Sequence, residues 1–162
     1  MSAVVTVVGN PRPGSRTAAA ARTLAEKLAG PPGPVVELAE LGPALLAGGD
    51  PRVEAAVATV RAAEMVIVAS PTFKATYTGL LKVFLDLLPA NALAGAVAVP
   101  LMVGASPSHA LAPELLLKPI LVELGATCPT RGLYVLESDH DKEEVFDRWL
   151  ASALPQLTRS AW

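Results

Sequence analysis

Short, nearly unbroken apolar runs, set apart by helix-patterned segments, constrain this chain more than any other feature. Ala3–Val8, Met65–Ala69 and Ala96–Val103 consist of small and β-branched residues with almost no polar alternation. A strand with one wet face alternates apolar and polar side chains. A run without that alternation reads as a strand covered on both faces, as in a parallel sheet. Val35–Leu38 and Gly132–Leu136 are two shorter candidates. Between them, Thr17–Leu28 is Ala-rich with Leu24 and Leu28 four apart, the spacing of a helix face. Asp50-Pro51 places an N-cap before a proline at the first helical position and predicts a helix to about Ala63. Leu80–Leu88 is a third helix, closed by Pro89. Ala112-Pro113-Glu114 opens a fourth that runs to about Leu124, with a kink or break expected at Pro119. Asp141–Leu157 is a final amphipathic helix, and Leu41–Gly49 reads as a loop.

Strands alternating with helices, without a hairpin signal, define an α/β sheet with helices on both faces. Five strands in 162 residues fit a single domain over 1–162, with the flavodoxin-like strand order 2-1-3-4-5. In that order ligands bind outside the carboxyl ends of the strands, at the switch between the first and third. Hydrophobic residues at 52% and charged residues at 17% supply a large core, which argues against disorder. A net charge of −2 without a basic stripe speaks against nucleic-acid binding. Ala92–Ala105 is weakly polar, but Gly95, Pro100 and Gly104 interrupt it and it is too short to span a bilayer. The N-terminal run lacks a basic segment before it and reads as an immediate strand rather than a signal peptide. One cysteine, Cys128, excludes an internal disulfide and suits the cytoplasm; it is expected to be an inert residue beside a strand.

Three loops follow strands one, three and four and meet at the same sheet edge. The first, Gly9–Thr17, enters a helix N-terminus and carries Asn10, Arg12, Ser15, Arg16 and Thr17. Helix-start N–H groups, two hydroxyls and a guanidinium make a phosphate site. It has no Walker A Lys-Ser/Thr, so nucleoside triphosphate cleavage is not indicated; a Pro-rich turn with an ordinary N-cap is the competing reading. The second, SPTFKATYTGLLK (70–82), offers Pro71, Thr72, Phe73, Lys74, Tyr77 and Gly79. Its aromatics give flat surface and its glycine permits close approach, although either aromatic taken singly reads as a core or interface side chain. The third, Gly104–His109, combines Gly104 and Ala105, which leave space, with Ser106 and Ser108, which hydrogen-bond. His109 there is ordinarily a structural hydrogen-bonder. Hydrolytic chemistry has little support: His109 and His140 are the only histidines, and no Gly-x-Ser-x-Gly elbow occurs. Two histidines without clustered carboxylates make a weak metal site, and none is expected. What remains is a site for something phosphorylated and flat that brings its own chemistry.

GNPRPGSRT (9–17), SPTFKATYTGLLKVFLDLLP (70–89) and VGASPSHALAPELLLKP (103–119) resemble the NADPH-dependent FMN reductases of flavodoxin-like fold. The likeness covers nearly the whole chain and is nearest to the reductases that supply reduced flavin to alkanesulfonate monooxygenases. The resemblance implies roles by position. Arg12, Ser15 and Thr17, with Asn10 where a Ser is common and Arg16 beside them, match the FMN phosphate loop. Pro71, Thr72 and Phe73 match the segment lining the isoalloxazine, and Tyr77 and Gly79 the turn completing that wall. Lys74 is a ring-edge, phosphate or interface contact. Gly104, Ala105 and Ser106, followed by His109, match the loop on the ring's pyrimidine side. Hydride passes from nicotinamide to flavin, so no side chain acts as nucleophile or general base. The resemblance also implies a homodimer or tetramer.

Two departures stand out. Several sulfonate-linked relatives carry a Tyr, associated with a π-helical bulge and with flavin exchanged as a substrate, about where this chain has Leu115. Leu there favours tighter flavin retention or another electron acceptor. Ala105 replaces a second Gly, and the C-terminal extension of some members is missing. The expected activity is NAD(P)H-dependent reduction of FMN, serving a flavin-dependent monooxygenase, oxygen, a quinone or another acceptor. NADPH and NADH are not distinguished. The alternatives are a flavodoxin-type FMN electron carrier, an FMN-bound quinone or azo reductase, and a flavin-free interaction homologue. Such carriers are usually strongly acidic and sandwich the ring between aromatics; −2 and 4% aromatic residues speak against one.

Overall fold

In a computed structural model of the chain, residues 4–31 and 33–159 are described. Five parallel strands form one sheet in the order β2-β1-β3-β4-β5. They are β1 (Val4–Val8), β2 (Val35–Glu37), β3 (Met65–Pro71), β4 (Val97–Gly104) and β5 (Leu133–Leu136). The helices are α1 (Arg16–Ala29), α2 (Ala44–Ala47), α3 (Pro51–Arg61), α4 (Gly79–Asp86), α5 (Lys118–Glu123) and α6 (Glu143–Arg159). The order expected from the sequence is the order observed; the expected start of β1 at Ala3 lies outside the described residues.

Alternate residues of the same strands feed two cores. Val5, Val7, Val66, Val68, Ala98 and Met102 pack against α3, α4 and α5 through Val60, Phe84 and Leu121. Val4, Val8, Ile67, Ala69, Val99 and Leu101 pack against α1 and α6 through Leu24 and Phe146. Both faces are dry, which explains why the central strands carry no polar alternation.

Pro100 sits inside the fully covered strand β4, a position that ordinarily excludes proline. The ladder accommodates it. Val97 N–H donates to Glu64 on the β3 side, and Ala98 N–H to Thr127 on the other. The alternation turns position 100 toward the β5 side, where pairing starts only at Leu101↔Leu133.

Two segments differ from expectation. The stretch 41–49, expected as a loop, contains the single turn of α2. The helix expected over 112–124 is divided into a π-helical turn, Pro113–Leu117, followed by α5. The π turn forms with Leu115 in place of the tyrosine, so that tyrosine is not what creates it here. Pro119 accounts for it: in a continuous α-helix its ring meets the carbonyl of Leu115, four residues back. Widening the turn so that Lys118 N–H reaches Pro113 O removes that clash. Side chains then pin the turn. Lys118 Nζ donates to Glu114 Oε1 and to Thr130 O, both at 2.9 Å, and Gly132 N–H donates to Glu114 Oε2 at 2.6 Å. Burial pushes the Glu114 carboxyl up, but Lys118 and the Gly132 N–H outweigh it and hold its pKa below the usual value. Nearby, burial raises the Cys128 thiol to about 11, which leaves little thiolate at neutral pH and agrees with an inert residue.

Candidate functional site

The loop after β1 is closed on itself by side chains. Gly9 N–H still pairs with Ala69 O of β3 at 2.8 Å. Asn10 Oδ1 then accepts from Arg12 N–H at 2.9 Å, and its Nδ2 donates to Thr17 Oγ1 at 3.1 Å. Ser15 is the N-cap of α1, its Oγ accepting from Ala18 N–H at 3.1 Å. The N–H groups of Arg16 and Thr17, the first two of the helix, are left without an intrahelical acceptor. Gly14 adopts φ 63°, a value glycine takes without strain.

Glu37 at the end of β2, only 8% exposed, completes this loop. Its Oε2 accepts from Gly14 N–H at 3.0 Å and its Oε1 from the Arg22 guanidinium at 2.7 Å. Glu37 is not among the residues expected at the site. Its signal was a carboxylate ending an otherwise apolar strand, which needs a buried partner. Arg12 is exposed and makes no ion pair among the described residues. Arg16 pairs with Glu137 at 3.2 Å.

The loop after β3 is anchored at its base and strained at its tip. Ser70 Oγ accepts from Thr78 N–H at 3.0 Å and donates to Pro71 O at 2.8 Å. Thr78 Oγ1 donates to Gly9 O at 2.6 Å and accepts from Leu81 N–H at 3.1 Å, capping α4. One buried hydroxyl therefore joins the first loop, the second loop and a helix start. At the tip, Phe73 and Thr76 exchange backbone hydrogen bonds of 2.9 and 3.2 Å. Between them Lys74 and Ala75 take φ 53° and 68°, as in a type I′ turn. Asn-Gly is the usual pair there; non-glycine residues with φ > 0 cost of order 1–3 kcal/mol each.

Phe73 is 49% exposed. Tyr77 is half-buried and packs on the α4 side of the core. Gly79 opens α4, with no atom within 4 Å of where its Cβ would stand. Thr72 N–H donates to Val103 O at 2.8 Å, while Thr72 Oγ1 is buried without a hydrogen bond.

The loop after β4 departs from expectation. Gly104 and Ala105 were expected to leave space. At Gly104 that space is filled: a Cβ there would fall on the Tyr134 hydroxyl. Tyr134 donates that hydroxyl to Ser106 O at 2.7 Å, and burial raises its pKa. Ser106 Oγ accepts from Ser108 N–H at 3.2 Å, and His109 ends a 3-10 turn, Pro107–His109. Gly104 is thus required by packing within the chain.

These elements enclose a cleft of about 790 Å³. Asn10, Arg12, Ser15, Arg16 and Thr17 line it on one side, and Pro71, Phe73, Val103 and Glu137 on the other. Thr72, Lys74, Tyr77, Gly79, Gly104, Ala105, Ser106 and His109 do not line it. Ala105 instead borders an adjacent groove of about 450 Å³ that shares Arg16 and Glu137. Glu137 was not anticipated, because the strand-end loop after β5 was not among the three considered.

The residues fit a phosphorylated planar group. An unpaired guanidinium and free helix-start N–H groups share the cleft with an apolar wall bearing an exposed ring. Among the described residues no three His, Cys, Asp or Glu side chains gather in a metal-holding group. No described helix is long and apolar enough to cross a membrane.

A five-stranded parallel sheet in this order, with its cleft at the switch point, defines a flavodoxin-like architecture. The chain belongs to the NADPH-dependent FMN reductase family, whose sequence model matches residues 2–141. It is 34% identical to the FMN reductase (NADPH) of Escherichia coli K12, covering 98% of this chain and 87% of that one. It is 30% identical to the NADH-dependent FMN reductase SfnF of Pseudomonas putida, over 89% and 82% of the two chains. Among solved structures, the apo form of the NADH:FMN oxidoreductase EMOB superposes with a TM-score of 0.81 at 35% identity, covering 94% of this chain and 90% of that one. A flavodoxin-like, WrbA-like protein from Agrobacterium tumefaciens shares the fold, with a TM-score of 0.70 at 16% identity.

Proposed function

We propose that this chain is an NAD(P)H-dependent FMN reductase built as one domain over 1–162. The observation that carries the proposal is the cleft itself: an anion cradle and a flat apolar wall at the switch point, in a member of this family. Arg12, Ser15, Thr17 and the first N–H groups of α1 hold the phosphate, with Asn10 keeping the loop closed and Arg16 at its edge. Pro71–Phe73 and the nearby loop Gly104–Ser106 with His109 shape the ring site; Tyr77 and Gly79 support it from the α4 side. Bound there, FMN would supply the redox chemistry as hydride acceptor from reduced nicotinamide. The protein binds and orients both partners and uses no side chain as nucleophile or base.

The reduced flavin serves a flavin-dependent monooxygenase or another acceptor, and the chain works in the cytoplasm as a homodimer or tetramer. Relatives with NADPH-dependent and NADH-dependent names support either donor. The π turn at Pro113–Leu117, present without the tyrosine, keeps flavin exchange open to this chain. Anaerobic incubation with FMN and NADPH or NADH tests the reading through flavin absorbance. Loss of the oxidised flavin bands is expected. FMN that binds yet stays oxidised with both donors identifies an electron carrier instead.

A further inference from the structure

We infer that Lys74 is a binding residue for the phosphate groups of the reduced nicotinamide dinucleotide, presented to it by the strained turn. The inference rests on the reductase reading and names a contact within that same site. It starts from a mismatch between sequence and backbone. A two-residue I′ turn is free of strain as Asn-Gly, yet this chain places Lys74 and Ala75 at φ 53° and 68°. Both side chains are exposed, and Lys74 forms no ion pair among the described residues. The Phe73–Thr76 backbone bonds close the turn, but among the described residues no hydrogen bond or ion pair of the Lys74 side chain offsets the strain, which points to a use of that side chain outside the chain.

Charge bookkeeping around the cleft gives the use. Arg16 is engaged by Glu137 and Arg22 by Glu37. Among the described residues that leaves two cations without a carboxylate partner here: Arg12, which lines the cleft, and Lys74, which lies outside the lining but directly follows the lining residue Phe73. The cradle with Arg12 suits one phosphate, that of the flavin. The hydride donor brings a pyrophosphate and, as NADPH, a third phosphate. To reach the flavin ring it approaches past the wall that carries Phe73. A flexible ammonium next to Phe73, held at a hairpin tip, is placed to meet that second set of charges.

The test is steady-state kinetics of Lys74→Gln with NADPH and with NADH, beside FMN titration. KM for the donor is expected to rise roughly three- to tenfold, more at low salt, as for one partly exposed charge contact. The kcat at saturating donor and the FMN affinity stay within twofold, and Lys74→Arg restores KM. A rise with both donors places the contact on the pyrophosphate. A rise with NADPH alone places it on the 2′-phosphate. Either result supports the inference. An unchanged KM for both donors, or a loss that falls on FMN affinity instead, overturns it.

Ala75→Gly separates the side chain from the turn: it should raise Tm by roughly 2–4 °C while leaving donor KM alone. The double variant Lys74→Asn with Ala75→Gly should raise both Tm and the donor KM. If the unaltered chain reduces no flavin with either donor, the reductase reading fails and this inference fails with it. If it reduces flavin and Lys74→Gln behaves identically, only the role of Lys74 is lost.

Discussion

The loop after β1 and the loop after β3 face one cleft but are held in opposite ways. The first is relaxed and cross-braced: its one left-handed residue is Gly14, Asn10 and Glu37 each satisfy one of its N–H groups, and Ser15 caps α1 through Ala18 N–H. The second is braced only at its base, by Ser70 and Thr78, and carries its strain at the tip on Lys74 and Ala75. The difference follows from what each presents. An anion is held by backbone dipoles, which must be fixed in place. A ring wall and a cation are side chains, and a hairpin tip projects them beyond the strand end at the expense of local strain.

The brace shared by the two loops offers the largest effect. Thr78→Val keeps the shape of the side chain but leaves Gly9 O and Leu81 N–H without their partner in a buried site. Destabilisation of about 2–4 kcal/mol is expected, measured by urea unfolding. Weaker FMN binding should accompany it, because both walls lose their common tie. A loss confined to stability, with FMN affinity intact, would show that the two loops are positioned independently.

Glu37→Ala strikes the cradle alone. It frees Arg22 and leaves the Gly14 N–H unpaired, for about 1–3 kcal/mol of stability. FMN affinity should fall about tenfold, equivalent to about 1.4 kcal/mol, since Gly14 then loses its tie to β2 and the loop backbone is left anchored to the rest of the fold through Gly9. Gly79→Leu strikes the other wall. No atom lies within 4 Å of its Cβ position, so thermal stability should hold. A ligand using that open space should bind about tenfold more weakly. Equal FMN affinity in a fluorescence titration would assign Gly79 to the start of α4 and nothing more.

Much of this was legible in the sequence, for identifiable reasons. The strands followed from unbroken apolar runs and their order from the regular alternation with helices, which fits the flavodoxin-like arrangement, and Asp50-Pro51 marked a helix start that the structure places at the same residues. The relaxed loop was the readable one, because its chemistry lies in the residues that form it. The strained loop announced its aromatics but not its geometry: Lys74-Ala75 has no turn signature, and only the paired bonds of Phe73 and Thr76 impose positive φ there. What escaped were contacts made from a distance. Glu37 reaches Gly14 across 23 positions, and Tyr134 fills the space beside Gly104 from the neighbouring strand. Pro119 was read as a break, but the form of the break, a π turn pinned by Glu114 and Lys118, depends on the segment 130–132.

The smallest effect tests whether the cradle's charge is fully available. Arg16 enters the cleft already paired with Glu137, and the two side chains are 61% and 44% exposed. So exposed a pair contributes little to folding, about 0–1 kcal/mol, and Glu137→Gln should leave the unfolding curve nearly unchanged. Its effect on binding has the opposite sign. The carboxylate lines the cleft proposed to take the phosphate, so on that reading its removal lifts a repulsion and releases Arg16 toward the ligand. FMN affinity should rise by about two- to fivefold at low ionic strength. The gain should shrink toward nothing near 1 M salt, where the screening length falls to about 3 Å. Lower affinity in Glu137→Gln would mean that the ion pair holds Arg16 in its binding position. The cradle would then be cross-braced from β5 as well as from β2, and the contrast between a relaxed first loop and a strained second would grow sharper.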